Sequence, residues 1–388
     1  MPKRKFELPG IQDLSKEQEA ARALPKEGQH LIVGGPGTGK SVLALIRARR
    51  HHRDSDGYLF LVFNHLLSRA SGQLFGDGFV GKTWIGWFLE TFEKTVGQPA
   101  PRKQPSQGGF REIDWSRVAE IVDAAPTGEN RESPFLVIDE GQDMPREFYT
   151  TLVQLGFEHF FVVADQNQQI TESNSSRKEI QDCLALESRD AIELRHNYRN
   201  GYRVARLANA FYTGDPASPP PELPAIAPGP VPILYAYDNE KLHAVARAVL
   251  RLADRDPRQL IGIIAPNNRV RERYLEALRS ADVKLDNTPP PIETYHGQHR
   301  AKVAFDEGGI LVINAQACKG LEFDTVVLAD IDEHFVRRAD PDGAKRLFYV
   351  MVARARERVF MFTRRNGSSE IQRILPTDPD LLRREEMR

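Results

Sequence analysis

An apolar run, Leu31-Ile32-Val33, leads into Gly34-Gly35-Pro36-Gly37-Thr38-Gly39-Lys40-Ser41, and Val42, Leu45 and Ile46 follow at helical spacing. The run fits glycine, four residues, glycine, lysine, serine or threonine, set between a strand and a helix. Few other patterns constrain a chain as strongly. Glycines let successive backbone N–H groups converge on one anion, and the N-terminus of the following helix adds positive potential there. The candidate cradle is Gly35, Pro36, Gly37, Thr38, Gly39, Lys40 and Ser41. Lys40 can reach β- and γ-phosphates, and Ser41 can hold Mg²⁺.

Short unbroken apolar runs recur at Tyr58–Phe63, Phe135–Ile138, Phe160–Ala164, Leu260–Ala265, Ile310–Ile313, Thr325–Ala329 and Val359–Phe362. Runs without polar alternation mark strands buried on both faces, as in parallel sheets. Helical stripes lie between them, at Val118, Ile121, Val122 and Ala125 and again at Leu242, Val245, Val249 and Leu252. Strands alternating with helices predict a doubly wound α/β fold. The chain of 388 residues is long enough for roughly two or three domains. Two stretches read as loops, Gly97 to Gly109 and Gly214 to Pro232, and the cluster Pro219-Pro220-Pro221 places a domain boundary in the second.

Charge is balanced, with 53 Lys and Arg against 54 Asp and Glu. Binding to nucleic acid must therefore use local patches rather than a global field. The two cysteines, Cys183 and Cys318, are too few for a disulfide framework or a zinc site and are expected to be reduced. No apolar run is long enough to span a membrane, and Met1-Pro2-Lys3-Arg4-Lys5 has no apolar stretch behind it, unlike a secretory signal. The expected location is cytoplasmic.

Two further strands end in groups suited to phosphate chemistry. Phe135-Leu136-Val137-Ile138 runs into Asp139-Glu140. A carboxylate at the C-terminal edge of a buried strand can face a phosphate loop and hold Mg²⁺, and the next acid can take a proton from an attacking water. A strand end followed by a solvated acidic turn is the plainer alternative. Phe160–Ala164 leads into Asp165-Gln166-Asn167-Gln168. A glutamine there can sense a γ-phosphate, although a polar loop after a strand needs no such role.

Seven segments taken in order resemble superfamily 1 helicases of the UvrD/Rep type. They are Leu14-Ser15-Lys16-Glu17-Gln18, Gly34 to Ser41, Ile138-Asp139-Glu140-Gly141-Gln142-Asp143, Ala164-Asp165-Gln166-Asn167-Gln168, Leu194-Arg195-His196-Asn197-Tyr198-Arg199, Lys319-Gly320-Leu321-Glu322-Phe323-Asp324, and Arg346-Leu347-Phe348-Tyr349-Val350 leading to Ala353-Arg354-Ala355. The resemblance implies a P-loop NTPase of two RecA-like parallel-sheet domains, 1–193 and 194–388, with ATP in the cleft between them. This moves the boundary upstream and leaves the proline-rich stretch as a loop of the second domain. It implies Gln18 as the adenine reader, Tyr198 stacked on adenine and Glu322 on ribose or phosphates. Ser41 and Asp139 would hold Mg²⁺, and Lys40, Asp139, Glu140, Gln168, Arg199 and Arg354 would carry catalysis. It also implies nucleic-acid contacts at Phe63-Asn64 and at Thr83-Trp84, where a core role is the commoner use of tryptophan.

The chain departs from the family at several points. Ala353 stands where Thr is usual, and Asn314, Gln316 and Cys318 stand where Thr, His and Ala are usual. No aromatic follows Ile170 in Thr171-Glu172-Ser173-Asn174-Ser175. The intervals 88–134 and 199–319 leave no room for large accessory insertions, and Pro289 to Asp306 reads as a loop. The expectation is an ATP- and Mg²⁺-dependent motor on nucleic acid, single-stranded DNA in the first instance, working with a protein partner. Two rivals stay open: an ATPase subunit of a DNA-sensing or DNA-processing complex that does not itself unwind, and an ATP-gated protein-binding switch.

Overall fold

The computed structural model describes residues 6–104, 111–124, 133–165, 174–213, 219–225, 229–295, 303–335, 340–365 and 370–387. The chain divides into two compact units. The N-terminal unit comprises Leu8–Gly34 and Lys40–Leu194; the C-terminal unit comprises Arg195–Arg388, Gly35–Gly39 and the residues before Leu8. Each unit is α/β, and every ladder between its strands is parallel.

The N-terminal unit runs α1 (Lys16–Ala23), β1 (Gln29–Gly34), α2 (Lys40–Arg53), β2 (Tyr58–Val62), α3 (His65–Phe75), β3 (Gly81–Thr83), α4 (Trp84–Val96), α5 (Trp115–Ala124), β4 (Phe135–Ile138), α6 (Arg146–Gln154), β5 (Phe160–Ala164), α7 (Arg177–Cys183) and β6 (Ile192–Leu194). Its six strands lie in the order β3-β2-β4-β5-β1-β6. Side chains alternate between the faces of a strand. Leu31, Leu59, Leu61, Leu136, Ile138, Phe160 and Val162 meet α4, α5, α6 and α7, while Ile32, Phe60, Val62, Val137, Phe161 and Val163 meet α1, α2 and α3. Both faces are apolar, which is why these strands read as unbroken hydrophobic runs.

The C-terminal unit runs α8 (Tyr202–Asn209), β7 (Ile233–Tyr237), α9 (Leu242–Arg255), β8 (Leu260–Ala265), α10 (Asn268–Ser280), β9 (Ile292–Thr294), β10 (Gly309–Asn314), β11 (Phe323–Leu328), α11 (Pro341–Val352), β12 (Ala355–Arg364) and β13 (Arg383–Glu386). The strand order is β13-β7-β12-β11-β8-β10-β9. Helices α9 and α10 pack together on one face of this sheet, over Ile261, Ile263, Ile310, Val312 and Val327. Helices α8 and α11 pack on each other and against β12 and β11. Within the stretch from Pro289 to Asp306, Ile292–Thr294 forms the edge strand β9, pairing with β10. The loop expected there is thus broken by a strand.

The described part of the proline-rich stretch is tied down locally. Glu222 N–H donates to the Arg195 carbonyl at 2.7 Å, and Glu222 bridges to His196. Among the described residues no helix is long and apolar enough to cross a membrane, and neither Cys183 nor Cys318 is in a disulfide.

Candidate active site

In parallel α/β sheets, ligands bind beyond the C-terminal edges of strands. In the N-terminal unit those edges carry Lys40, Ser41, Asp139, Glu140 and Asp165. Lys40 opens α2 and places Nζ 3.3 Å from Asp165 Oδ2. Ser41 Oγ donates to Asp139 Oδ1 at 3.1 Å, and the Glu140 N–H donates to the same oxygen at 2.9 Å. Asp139 Oδ2 is buried without a hydrogen-bond partner. Burial first, and the Glu140 charge second, push the Asp139 carboxyl up to about 7, against the pull of Ser41, the Glu140 N–H and Lys40. An unpartnered buried carboxylate oxygen beside a serine hydroxyl is a donor set suited to a hard cation such as Mg²⁺.

Glu140 is held in a left-handed conformation, φ 53° and ψ 44°. A residue with a Cβ stays there at a cost of about 1–3 kcal/mol. The turn is pinned on both sides: Asp143 N–H donates to the Glu140 carbonyl at 2.9 Å, and Tyr149 OH donates to the Gly141 carbonyl at 2.7 Å. Gln142 is fully buried and joins two strand ends. Its Nε2 donates to Glu140 Oε2 at 2.7 Å, and its Oε1 accepts the Asp165 N–H at 2.8 Å. Neither Gln142 nor Asp165 carries an expected role, although both lie in the segments 138–143 and 164–168 that carry the resemblance. Gln168 lies outside the described residues.

Gln18 is buried on α1, where it closes a capping box with Ser15. Its Oε1 accepts the Ser15 N–H at 3.0 Å, and its own N–H donates to Ser15 Oγ at 3.2 Å. The carboxamide oxygen of the expected adenine reader is thus engaged in capping its own helix.

The glycine run Gly35–Gly39 groups with the C-terminal unit. Thr38 Oγ1 donates to the Gly35 carbonyl at 2.9 Å, and the Tyr198 N–H donates to the Gly37 carbonyl at 2.8 Å. Gly37 has φ 78°, and a Cβ there would stand 2.2 Å from Asn197 Oδ1. Conformation and close approach both exclude a side chain at that position. Pro36 and Gly39 complete the turn into α2, Gly39 with φ 91°.

In the same unit Asn197 Oδ1 accepts the N–H groups of Arg199 and Asn200, each at 3.0 Å. Asn200 Nδ2 donates to the carbonyls of Ala353 and Ala355, which flank Arg354. Asn197 and Asn200 therefore fix the segment bearing Arg199 to the one bearing Arg354. Arg199 pairs with Glu322 at 2.5 Å, and its buried Nε has no hydrogen-bond partner. Arg354 is almost fully buried, and its Nε donates to the Val350 carbonyl at 3.1 Å. Tyr198 keeps 57% of its surface exposed.

The four residues read as nucleic-acid contacts divide. Asn64 caps α3, its Oδ1 accepting the Leu67 N–H at 2.8 Å. Phe63 is half-buried against the core under α4, and Thr83 is the last residue of β3, at the entry to α4. Trp84, expected as a nucleic-acid contact, packs in the core of the N-terminal unit. It is 9% exposed and meets Phe148 edge to face at 5.3 Å, because its position on α4 turns the indole toward α6. Trp87 packs on Phe157 in the same way.

Residues 309–362 match the UvrD-like helicase C-terminal domain family. This stretch of the chain is helicase-like. It spans β10 to β12 and contains Glu322 and Arg354. The similarity points to a helicase-like function. Among solved structures, the chain is similar to the C-terminal domain of a possible DNA helicase from Lactobacillus plantarum WCFS1, with 17% identity, coverage of 48% of this chain and 97% of that one, and a TM-score of 0.35. No curated protein matches the chain.

Proposed function

We propose that the chain is an ATP-dependent, nucleic-acid-stimulated motor of UvrD/Rep type acting on single-stranded DNA. The observation that carries the reading is the set of Lys40, Ser41, Asp139 and Glu140 at one strand edge, with Asp139 Oδ2 buried and unpartnered. Ser41 and Asp139 would hold Mg²⁺, which when bound neutralises charge on the β- and γ-phosphates. Lys40 would leave Asp165 for the phosphates, and Gly35–Gly39 would cradle them. Glu140, steered by its left-handed turn and by Gln142, would accept a proton from the attacking water. Gln168 would position that water. Arg199 and Arg354 would meet charge developing on the transferred phosphoryl group. Tyr198 and Gln18 would hold adenine, and Glu322, on releasing Arg199, the ribose or phosphates.

The test is ATP turnover by the purified chain with and without single-stranded DNA. Stimulated turnover supports the motor. Turnover that ignores DNA and RNA strands alike would refute it. Burial of Trp84 favours a second reading, in which the chain is the ATPase subunit of a DNA-processing complex and a partner supplies much of the grip. Phe63, Asn64 and Thr83 would then be the contacts left at that edge. An ATP-gated protein-binding switch would bind nucleotide and partner with no response to strands.

A further inference from the structure

The C-terminal sheet has seven strands, and α9 and α10 pack side by side on one of its faces. Strands lie about 4.7–4.9 Å apart and packed helices about 8–10 Å apart, so two helices cover about four strands. A depression of about 970 Å³ lies beside α9 on the uncovered side, toward β13. Its floor is aromatic. Tyr235 of β7 stands 5.6 Å from Phe362 and 6.4 Å from Phe360 of β12, with ring planes within 21° and 29°. Tyr235 and Phe360 are only half-buried. The floor is thus the unfinished part of a core face.

The two rims differ in charge. Along α9, Arg247, Arg251 and Arg255 recur every fourth residue and so form one row. All three are exposed, and none has an ion-pair or hydrogen-bond partner among the described residues. Arg251 and Arg255 line the depression directly. The opposite rim carries Glu385 and Glu386 of β13, and Arg365 beside them is already paired, 2.9 Å from Glu386.

We propose that this depression is a docking groove for an amphipathic helix of a partner protein, with an apolar stripe on Tyr235, Phe360 and Phe362 and acidic residues against Arg251 and Arg255. A helix is the element that completes a doubly wound face, and a groove with an apolar floor is how helices are bound. The unpaired arginine row sets the sign of the flanking charge. The far rim is charge-balanced, Glu386 paired with Arg365 and Glu385 with Arg383, so on that side it offers a polynucleotide's phosphates no unpaired cation. A helix can carry acids on one flank and none on the other. The inference is independent of the ATP reading, because none of these residues has a part in it.

Two synthetic amphipathic peptides of about four turns share one apolar stripe. One has Glu on the flank meeting α9 and Lys on the other; the second has these charges exchanged. Fluorescence anisotropy against the full chain should show the first binding at least about tenfold more tightly. Arg251→Glu with Arg255→Glu should reverse the preference without altering ATP turnover or the melting curve. Equal binding of the two peptides, no binding by either, or a preference untouched by the double variant would overturn the proposal. So would self-association of the wild type that the variant abolishes, which makes the occupant a second copy. A twenty-residue thymidine oligonucleotide losing affinity to the variant would likewise make the groove a nucleic-acid surface.

Discussion

Asp139 should destabilise the protein it serves, and by an amount that grows with pH. Its carboxyl moves from 3.8 to about 7 on folding, because the site removes it from water beside Glu140. Between those values the folded chain binds more protons than the unfolded one, so stability falls as pH rises through the window. At 1.36 kcal/mol per pH unit, the cost is roughly 1–2 kcal/mol at pH 5 and levels off near 4 kcal/mol above pH 7. Asp139→Asn keeps an oxygen for Ser41 and the Glu140 N–H but cannot ionise. The variant should therefore gain on the wild type by about 2–3 kcal/mol between pH 5 and pH 8, with any constant offset from the new amide cancelling. The assay is urea unfolding at several pH values, without nucleotide and with a chelator present. The three tryptophans, Trp84, Trp87 and Trp115, all lie in the N-terminal unit, so their fluorescence follows the unit that holds Asp139. A difference between the two proteins that does not change with pH would show that the carboxyl is not raised and refute the reasoning.

Glu140→Gln should still bind ATP with Mg²⁺ while turnover drops by about 10²–10⁴, and ordinary turnover in that protein would remove Glu140 as the base. Lys40→Ala should nearly abolish turnover in the same assay. Arg199→Ala and Arg354→Ala should lose about 10³–10⁵ in maximal rate and much less in nucleotide affinity, measured by titration with a fluorescent ATP analogue. If affinity collapses and the rate holds, they are binding residues. In single-turnover unwinding of a tailed duplex with excess trap strand, the chain alone should separate little duplex, since base stacking worth about 1–3 kcal/mol per base is scarce once Trp84 is in the core; efficient unwinding would make it a complete helicase.

Much of the sheet architecture is legible because doubly covered strands leave continuous apolar runs. β2, β4, β5, β8, β10 and β11 each coincide with one, and β12 contains one. The strands that left no such signal are those with a different environment. β13 reads Arg383-Arg384-Glu385-Glu386, four charges in a row, which suits an exposed edge that must not recruit another strand. β3, β6 and β9 span three residues each, too few for any period. β7, Ile233–Tyr237, does form an apolar run, but it directly follows the proline-rich stretch that reads as a loop up to Pro232, which hides it. The acidic and glycine boxes were legible as strings, yet Gln142 and Asn200 work through bonds to residues far along the chain. Only a folded backbone brings Asn200 to the carbonyls on either side of Arg354.

The least legible feature is a turn that both units share. Glu140 stands two residues beyond the end of β4 with φ 53°, and Asp330 two residues beyond the end of β11 with φ 41°; each opens a single 3-10 turn. Glycine would signal such a conformation in a sequence, whereas an acid gives no warning of it. The two units put the same backbone to different ends. In the N-terminal unit the turn delivers Glu140 to the strand edge beside Asp139. In the C-terminal unit Asp330 is fully buried and is consumed by structure: its Oδ1 accepts from Tyr274 at 2.9 Å and from Tyr237, and its Oδ2 pairs with Arg273. A strained acid at a strand tip is therefore not itself a mark of chemistry. What separates Glu140 is its neighbours, a buried carboxylate with an unpartnered oxygen and a serine from the start of α2, where Asp330 has two tyrosines and an arginine.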